Sequence, residues 1–127
     1  MILATIEINH LERWINPAYY PHRCDYSNRF EVYYGGAGSG KSYFVTQKLI
    51  LKALNSPRRV LIVRKVGRTI KDSVFALFLQ ELQRFSMLIE SVNKSDYTIK
   101  LKNGSELLFK GLDENEKIKS IVGIDDI

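Results

Sequence analysis

Residues 35–42 read Gly35-Gly36-Ala37-Gly38-Ser39-Gly40-Lys41-Ser42 and satisfy the spacing G-x-x-x-x-G-K-S/T. Each residue type has a physical task at its position. A run of glycines, interrupted only by Ala37 and Ser39, lets successive backbone N–H groups converge on phosphate oxygens, and a helix opening at the end of the run adds its positive terminus. Lys41 offers a compact charge to β- and γ-phosphates, and the Ser42 hydroxyl is a hard oxygen ligand for Mg²⁺. ATP with Mg²⁺ is therefore the predicted ligand of residues 35–42. A glycine-rich turn followed by a chance Lys-Ser is the plainer alternative, but ordinary residue usage gives this pattern in fewer than about 1% of chains of this length.

A phosphate loop works only between a strand and a helix, and the flanks predict both. Phe30-Glu31-Val32-Tyr33-Tyr34 is a β-rich run that halts at Gly35. From Lys41 to Leu54 the residues favour helix, with Val45, Leu49, Ile50 and Ala53 at helical spacing, until Asn55-Ser56-Pro57 stops it. Arg59 to Arg64 brackets Val-Leu-Ile-Val, the continuous apolar run of a strand buried on both faces in a parallel sheet. Ile70, Val74, Leu77, Phe78, Leu82 and Phe85 form one apolar stripe, which predicts a helix from about Ile70 to Phe85, with Thr69 and Asp72 as a capping box. Tyr97–Lys102 and Ser105–Lys110 flank Asn103-Gly104, a hairpin signal whose two-residue turn would set Ile99 opposite Leu108. No repeat or linker divides the chain, so residues 1–29 read as a turn-rich lead-in and 30–127 as one α/β unit.

Other candidates are weaker. In an open α/β sheet ligands lie beyond the carboxyl ends of the strands, which would bring Arg64 and Lys65 to the edge of the phosphate loop, with Arg68 close by. One of them could sense a γ-phosphate or contact DNA; a solvated basic loop is the bland reading. Tyr19, Tyr20 and Arg29 could meet an adenine, although aromatics beside prolines usually just pack. His10 and His22 have no partner at useful spacing, and Asp113-Glu114-Asn115-Glu116 reads as a solvated face. Hydrolases of this kind often need a second acidic motif, an apolar strand ending in Asp. Ile121-Val122-Gly123-Ile124-Asp125-Asp126 is the one candidate, making Asp126 a possible Mg²⁺ ligand, but its glycine makes it a poor strand.

Composition bounds these readings. At 127 residues, 45% apolar and 26% charged, the chain has the makings of a real core, and disorder is excluded. Cys24 is the only cysteine, so no internal disulfide forms, and a reducing cytoplasmic setting is expected. Its apolar runs are too short for a membrane span. A net charge of +5 is compatible with a polyanionic partner without requiring one.

The ordered set Ile15-Asn16-Pro17-Ala18-Tyr19-Tyr20-Pro21, Tyr34 to Ser42, Val63-Arg64-Lys65, Lys71-Asp72-Ser73-Val74-Phe75, Asn103-Gly104-Ser105, Phe109-Lys110-Gly111-Leu112-Asp113 and Lys117-Ile118-Lys119-Ser120 resembles the large subunit of tailed-phage terminases, particularly the PBSX branch. The resemblance implies a P-loop NTPase of RecA-like type, with a parallel-sheet core and an inserted β-hairpin. It implies an ATPase motor that drives double-stranded DNA into the procapsid, inside a bacterial host cell. A terminase small subunit, a portal protein and a pentameric ring are the implied partners. The family's second acidic motif would come shortly after the segment like Ser120–Ile127, followed by a nuclease domain, so this chain reads as stopping short of both. Ala37 stands where many terminases place an arginine proposed to act on the γ-phosphate, which leaves that role to Arg64 by hypothesis. The competing readings are a non-catalytic prophage remnant or interaction fragment, and a small P-loop kinase.

Overall fold

A computed structural model describes residues 14–36, 38–65, 68, 73–113, 119, 121 and 123–127. Ala37 and the Thr69–Asp72 capping box lie outside the described residues, as do His10 and the 114–116 part of the acidic run. Among the described residues the longest element is helix α1, Lys41–Asn55, which starts directly after the glycine run as the spacing predicts. Strand β1, Arg59–Arg64, follows a short turn and matches the expected boundaries. Helix α2, Phe75–Leu82, continues as a 3-10 turn over Gln83–Leu88, so the described part of the apolar stripe is not one straight helix through Phe85, and Ile70 lies outside the described residues. At Phe85 the backbone leaves helical geometry (φ −117°, ψ 33°). Its side chain stays buried with the core.

Three further strands complete the sheet: β2, Ile89–Asn93; β3, Thr98–Leu101; and β4, Glu106–Gly111. Their order is β1-β4-β3-β2, with β1 and β4 parallel and the other two pairings antiparallel. The protein is thus α/β, but the described sheet is mixed rather than a parallel core. The hairpin is no appendage to it, because β4 itself lies against β1. Strand alternation sends Val60, Ile62, Ile99, Leu101, Leu107 and Phe109 into one apolar cluster with Ile50 and Ala53 of α1 and Phe75, Phe78 and Leu82 of α2. Edge-to-face contacts of Phe109 with Phe75 and Phe78, at centroid distances of 5.1 and 5.2 Å, tie α2 to the sheet. The intervening residues Leu61 and Leu108, a pair across β1 and β4, are buried too, as a strand covered on both faces requires.

The hairpin register differs by one residue from the two-residue expectation: Ile99 pairs with Leu107, and Thr98 with Leu108. Leu101 N–H donates to Ser105 C=O, so three residues form the loop, with Gly104 at φ 96°. Asn103 explains the longer loop, because its side chain turns to the end of α1. Its amide donates to the Ala53 carbonyl at 2.7 Å, while its oxygen accepts the Ser105 N–H at 3.0 Å. The buried Ser105 hydroxyl donates to the same Ala53 carbonyl at 2.6 Å. A helix end leaves carbonyls without partners, and this hairpin tip satisfies one of them. Asn103→Ala is expected to cost about 1 kcal/mol, one side-chain hydrogen bond's worth; urea unfolding with an unchanged midpoint would count against the capping role.

The extended run Phe30–Tyr34 does not form a strand among the described residues. A strand needs a hydrogen-bonding neighbour, and on the side of β1 away from β4 the described partner is Asp126, in a parallel bridge to Val60. The run instead lies on α1 through alternate residues. Lys48 Nζ reaches Glu31 Oε2 at 2.8 Å and the Tyr33 hydroxyl at 2.9 Å, and Tyr33 meets Phe44 edge-on. Phe30, Val32 and Tyr34 point outward, at 82%, 84% and 90% exposure. Nor is the lead-in a detached arm, since Ile15 is buried with Phe44 and Leu51 on the flank of α1, and Trp14, Tyr19 and Tyr20 pack around them.

Candidate functional site

The glycine run sits at the entrance of α1, at the sheet edge where β1 ends. This placement follows from the chain path: the hairpin tip holds the C-terminal end of α1 beside the start of β4, and β1 then runs back. Gly38 and Gly40 have φ of 79° and 78°, a region that a side chain makes costly. Ser39 N–H closes a turn onto Gly36 C=O at 3.2 Å. A Cβ at Gly35 would come within 2.9 Å of Ser39 Oγ, so that the serine side chain would have to shift, whereas a Cβ on Gly36 or Gly38 would meet nothing within 4 Å. One flank of the loop is therefore closed against its own chain, and the other is open.

Gly40 is the N-cap of α1 and brings no side-chain cap, and no acidic residue occupies the first turn. Most helices place Ser, Thr, Asp or Asn here to satisfy the free N–H groups. This one starts without a side-chain cap and adds the cation of Lys41 to its positive end. Lys41 Nζ folds back onto the Gly35 carbonyl at 2.9 Å and lies 3.5 Å from that of Gly36. Ser42 is exposed in the first turn of the helix, beside Lys41.

Arg64 ends β1 and is exposed, with its guanidinium donating to the Ser73 hydroxyl. Lys65 and Arg68 are exposed on the same stretch. The structure does not bring Asp126 to this edge. Its bridge to Val60 sets it beside the beginning of β1, and its carboxylate joins Lys52 and, at 2.9 Å, Arg58. Lys52 is about 16 Å along the axis of α1 from Lys41, at about 1.5 Å per residue. Asp126, the expected Mg²⁺ ligand, thus lies in an ion pair at the far end of the helix, and among the described residues of the acidic motif the strand pairing is that single bridge. Among the described residues no group of three or more His, Cys, Asp or Glu side chains could hold a metal ion.

Burial pushes the Asp126 carboxyl up, but the hydrogen bonds and charges of Lys52 and Arg58 outweigh it and hold the pKa below the usual value. A carboxylate with a lowered folded-state pKa stabilises the fold above its unfolded pKa and loses that contribution as pH falls through the folded value. Asp126→Asn should therefore lower Tm at neutral pH, with the difference from the parent chain shrinking below about pH 4; a pH-independent difference would show that the charge is not what matters.

Of the adenine candidates, Tyr19 is already engaged. Its ring stacks on Phe44 (centroids 4.7 Å apart, planes at 12°), and its hydroxyl donates to the Ser39 carbonyl at 3.1 Å. Tyr20 carries the Arg23 guanidinium 3.8 Å over its ring, and Arg29 lies over Phe30. The contact of Tyr19 with the loop is the feature that the sequence reading missed. Asn16-Pro17 signals a turn, and Asn16 does accept Ala18 N–H, but nothing local says where the turn aims Tyr19.

Fold and loop together define an α/β protein whose glycine-rich loop opens helix α1 at the carboxyl edge of the sheet. The family profile of the phage terminase large subunit matches residues 27–127, and the chain belongs to that family. It is 34% identical over 112 residues to the PBSX phage terminase large subunit of Bacillus subtilis (strain 168), covering 87% of this chain and 26% of that protein. Over 89 residues it is 32% identical to the terminase large subunit of Bacillus phage SPP1, covering 68% of this chain and 21% of the relative. The chain thus spans about a quarter of the length of these curated relatives. No helix among the described residues is long and apolar enough to cross a membrane.

Proposed function

We propose that residues 35–42 are the P-loop of a phage DNA-packaging ATPase, and that this chain carries its nucleotide-binding part within a RecA-like core. The observation that carries the reading is the uncapped start of α1, with Lys41 folded onto the Gly35 carbonyl. An ammonium resting on a neutral carbonyl gains when phosphate oxygens replace it, because hydrogen bonds between charged groups are about twice as strong. The open flank at Gly36 and Gly38 and a helix start without a side-chain cap suit a triphosphate. Gly35, Gly36, Ala37, Gly38, Ser39 and Gly40 would surround it with backbone N–H groups, Lys41 would hold its β- and γ-oxygens, and Ser42 would offer an oxygen to Mg²⁺. When bound, the ion neutralises charge on the phosphates as the terminal bond breaks. Arg64, at the same sheet edge, is our choice for the arginine that meets the γ-phosphate.

In the whole motor, ATP hydrolysis would drive translocation of double-stranded DNA into the procapsid, with a small subunit, the portal protein and further copies of the large subunit as partners, in the cytoplasm of the host bacterium. One observation favours a second reading, an interaction fragment without catalysis: the outward apolar stripe of Phe30, Val32 and Tyr34 suits contact with another surface. Calorimetric titration with Mg²⁺ and the non-hydrolysable analogue AMP-PNP separates the two. Saturable one-site binding is expected of the ATPase, whereas self-association on sedimentation with no nucleotide binding would favour the interaction fragment.

A further inference from the structure

Among the described residues the lead-in meets the glycine loop at the peptide group between Ser39 and Gly40. Tyr19 Oη donates to the Ser39 carbonyl at 3.1 Å. The ring edge of Tyr19 also lies near Gly40, where an added Cβ would be 3.8 Å from Tyr19 Cε2 and 3.6 Å from Asn16 Nδ2. Tyr19 is itself fixed in place. Its ring is stacked on Phe44 of α1, and the N–H groups of Tyr19 and Tyr20 both donate to Asn16 C=O, at 2.9 and 3.1 Å.

A trans peptide is planar, and its C=O points opposite to the N–H of the next residue. No cis bond occurs among the described residues. Fixing the Ser39 carbonyl toward Tyr19 therefore fixes the Gly40 N–H in the opposite direction, away from the Tyr19 hydroxyl. Glycine on its own would not hold that plane. Gly40 adopts positive φ freely and has no side chain to restrain it, so the peptide between Ser39 and Gly40 can flip at little cost. The Ser39 side chain does not restrain it either, since its buried hydroxyl has no hydrogen-bond partner among the described residues.

We propose that Tyr19 is a positioning residue of the phosphate site: its hydroxyl locks the Ser39–Gly40 peptide so that the Gly40 N–H faces the phosphates. Tyr19 acts on the loop and not on the base, and the inference rests on the P-loop reading above. It predicts that losing the hydroxyl weakens binding of any ligand with a polyphosphate, whatever base it carries.

The test is Tyr19→Phe, which keeps the stack on Phe44 and removes only the donor. By calorimetry with Mg²⁺, affinity for AMP-PNP should fall roughly 5- to 10-fold, the worth of one hydrogen bond. The same factor should appear with inorganic tripolyphosphate and with the guanine analogue GMP-PNP. A loss confined to AMP-PNP would make Tyr19 an adenine contact and overturn the proposal, as would unchanged affinity for all three. Amide NMR supplies a readout independent of ligand: the Gly40 N–H resonance should move and its hydrogen exchange quicken in Tyr19→Phe, while amides in β3 and β4 stay unchanged. An unmoved Gly40 resonance overturns the proposal. If the parent chain binds none of the three ligands, the P-loop reading fails, and the Gly40 amide still decides whether Tyr19 orients that peptide.

Discussion

Lys41→Ala is expected to lower affinity for Mg²⁺-AMP-PNP by about 100-fold or more while leaving the fold intact. The size follows from the bonds lost. Hydrogen bonds from a charged donor are worth about 1.5–3 kcal/mol each, and an ammonium with three donors can reach two phosphate oxygens at once. The stability side follows from the contacts present. Lys41 is half-buried, its ammonium is bonded to the carbonyls of Gly35 and Gly36, both exposed residues, and neither of the two apolar clusters includes it. Loss of the side chain leaves those carbonyls open to water, so Tm should move by no more than about 2 °C, as for surface substitutions in general. Lys41→Arg separates charge from shape. Its planar fork cannot replace a compact ammonium inside a tight loop, so most of the affinity should remain lost although the charge is kept. Titration curves for Lys41→Ala that overlay those of the parent chain would refute the assignment of residues 35–42, and a collapse of Tm would show that the lysine is structural.

The parts of the molecule that the sequence makes legible are those whose physics is local. Helix α1 begins and ends where Gly40-Lys41 and Asn55-Ser56-Pro57 say, and β1 coincides with its apolar run because a strand buried on both faces cannot be anything more polar. The glycine loop is legible for the same reason: positive φ at Gly38 and Gly40 is a local demand that glycine meets. What could not be read depends on neighbours far away in sequence. Phe30–Tyr34 has strand composition, but strand formation needs a partner's hydrogen bonds, and composition does not supply one. Strand β2 is the reverse case. Ile89-Glu90-Ser91-Val92-Asn93 is mostly polar because it is a solvent-facing edge, and it is a strand only because β3 lies beside it. In the hairpin, Asn103-Gly104 announces a turn, yet the register is set by Asn103 reaching the end of α1, a contact 50 residues away. The candidate site divides along the same line. Its glycines and Lys41 are local, whereas the contact of Tyr19 with Ser39 and the pairing of Asp126 with Lys52 are products of the tertiary fold, and the second sets Asp126 at the opposite end of α1 from the glycines.

Glu81→Ala is expected to cost about 2–4 kcal/mol, the largest stability effect of any polar substitution argued for this chain. Glu81 of α2 is only 8% exposed. One of its carboxylate oxygens, Oε2, accepts both the Trp14 indole N–H at 2.6 Å and the Gln47 side-chain amide at 3.1 Å. The Gln47 amide also donates to the Trp14 carbonyl at 2.8 Å, so lead-in, α1 and α2 meet at a single polar node. Buried donors deprived of their acceptor cost about 1–3 kcal/mol each, and the indole N–H has no other described partner to turn to. Trp14 cannot simply swing out to water, because its ring packs edge-on to Phe85, with centroids 5.2 Å apart. Glu81→Gln keeps a carbonyl oxygen for the indole and should lose about 1 kcal/mol. Chemical unfolding can be followed by the emission of Trp14, the only tryptophan in the chain, which reports directly on the node. A loss below about 0.5 kcal/mol in Glu81→Ala would place the lead-in outside the cooperative fold. A double-mutant cycle with Trp14→Phe, followed by circular dichroism, then isolates the indole bond, since phenylalanine keeps a ring against Phe85 and drops only the N–H. Coupling of about 1 kcal/mol or more is expected of residues in one buried network. The same node fixes the start of the segment that carries Tyr19 to the glycine loop, so its integrity sets how firmly that loop is held.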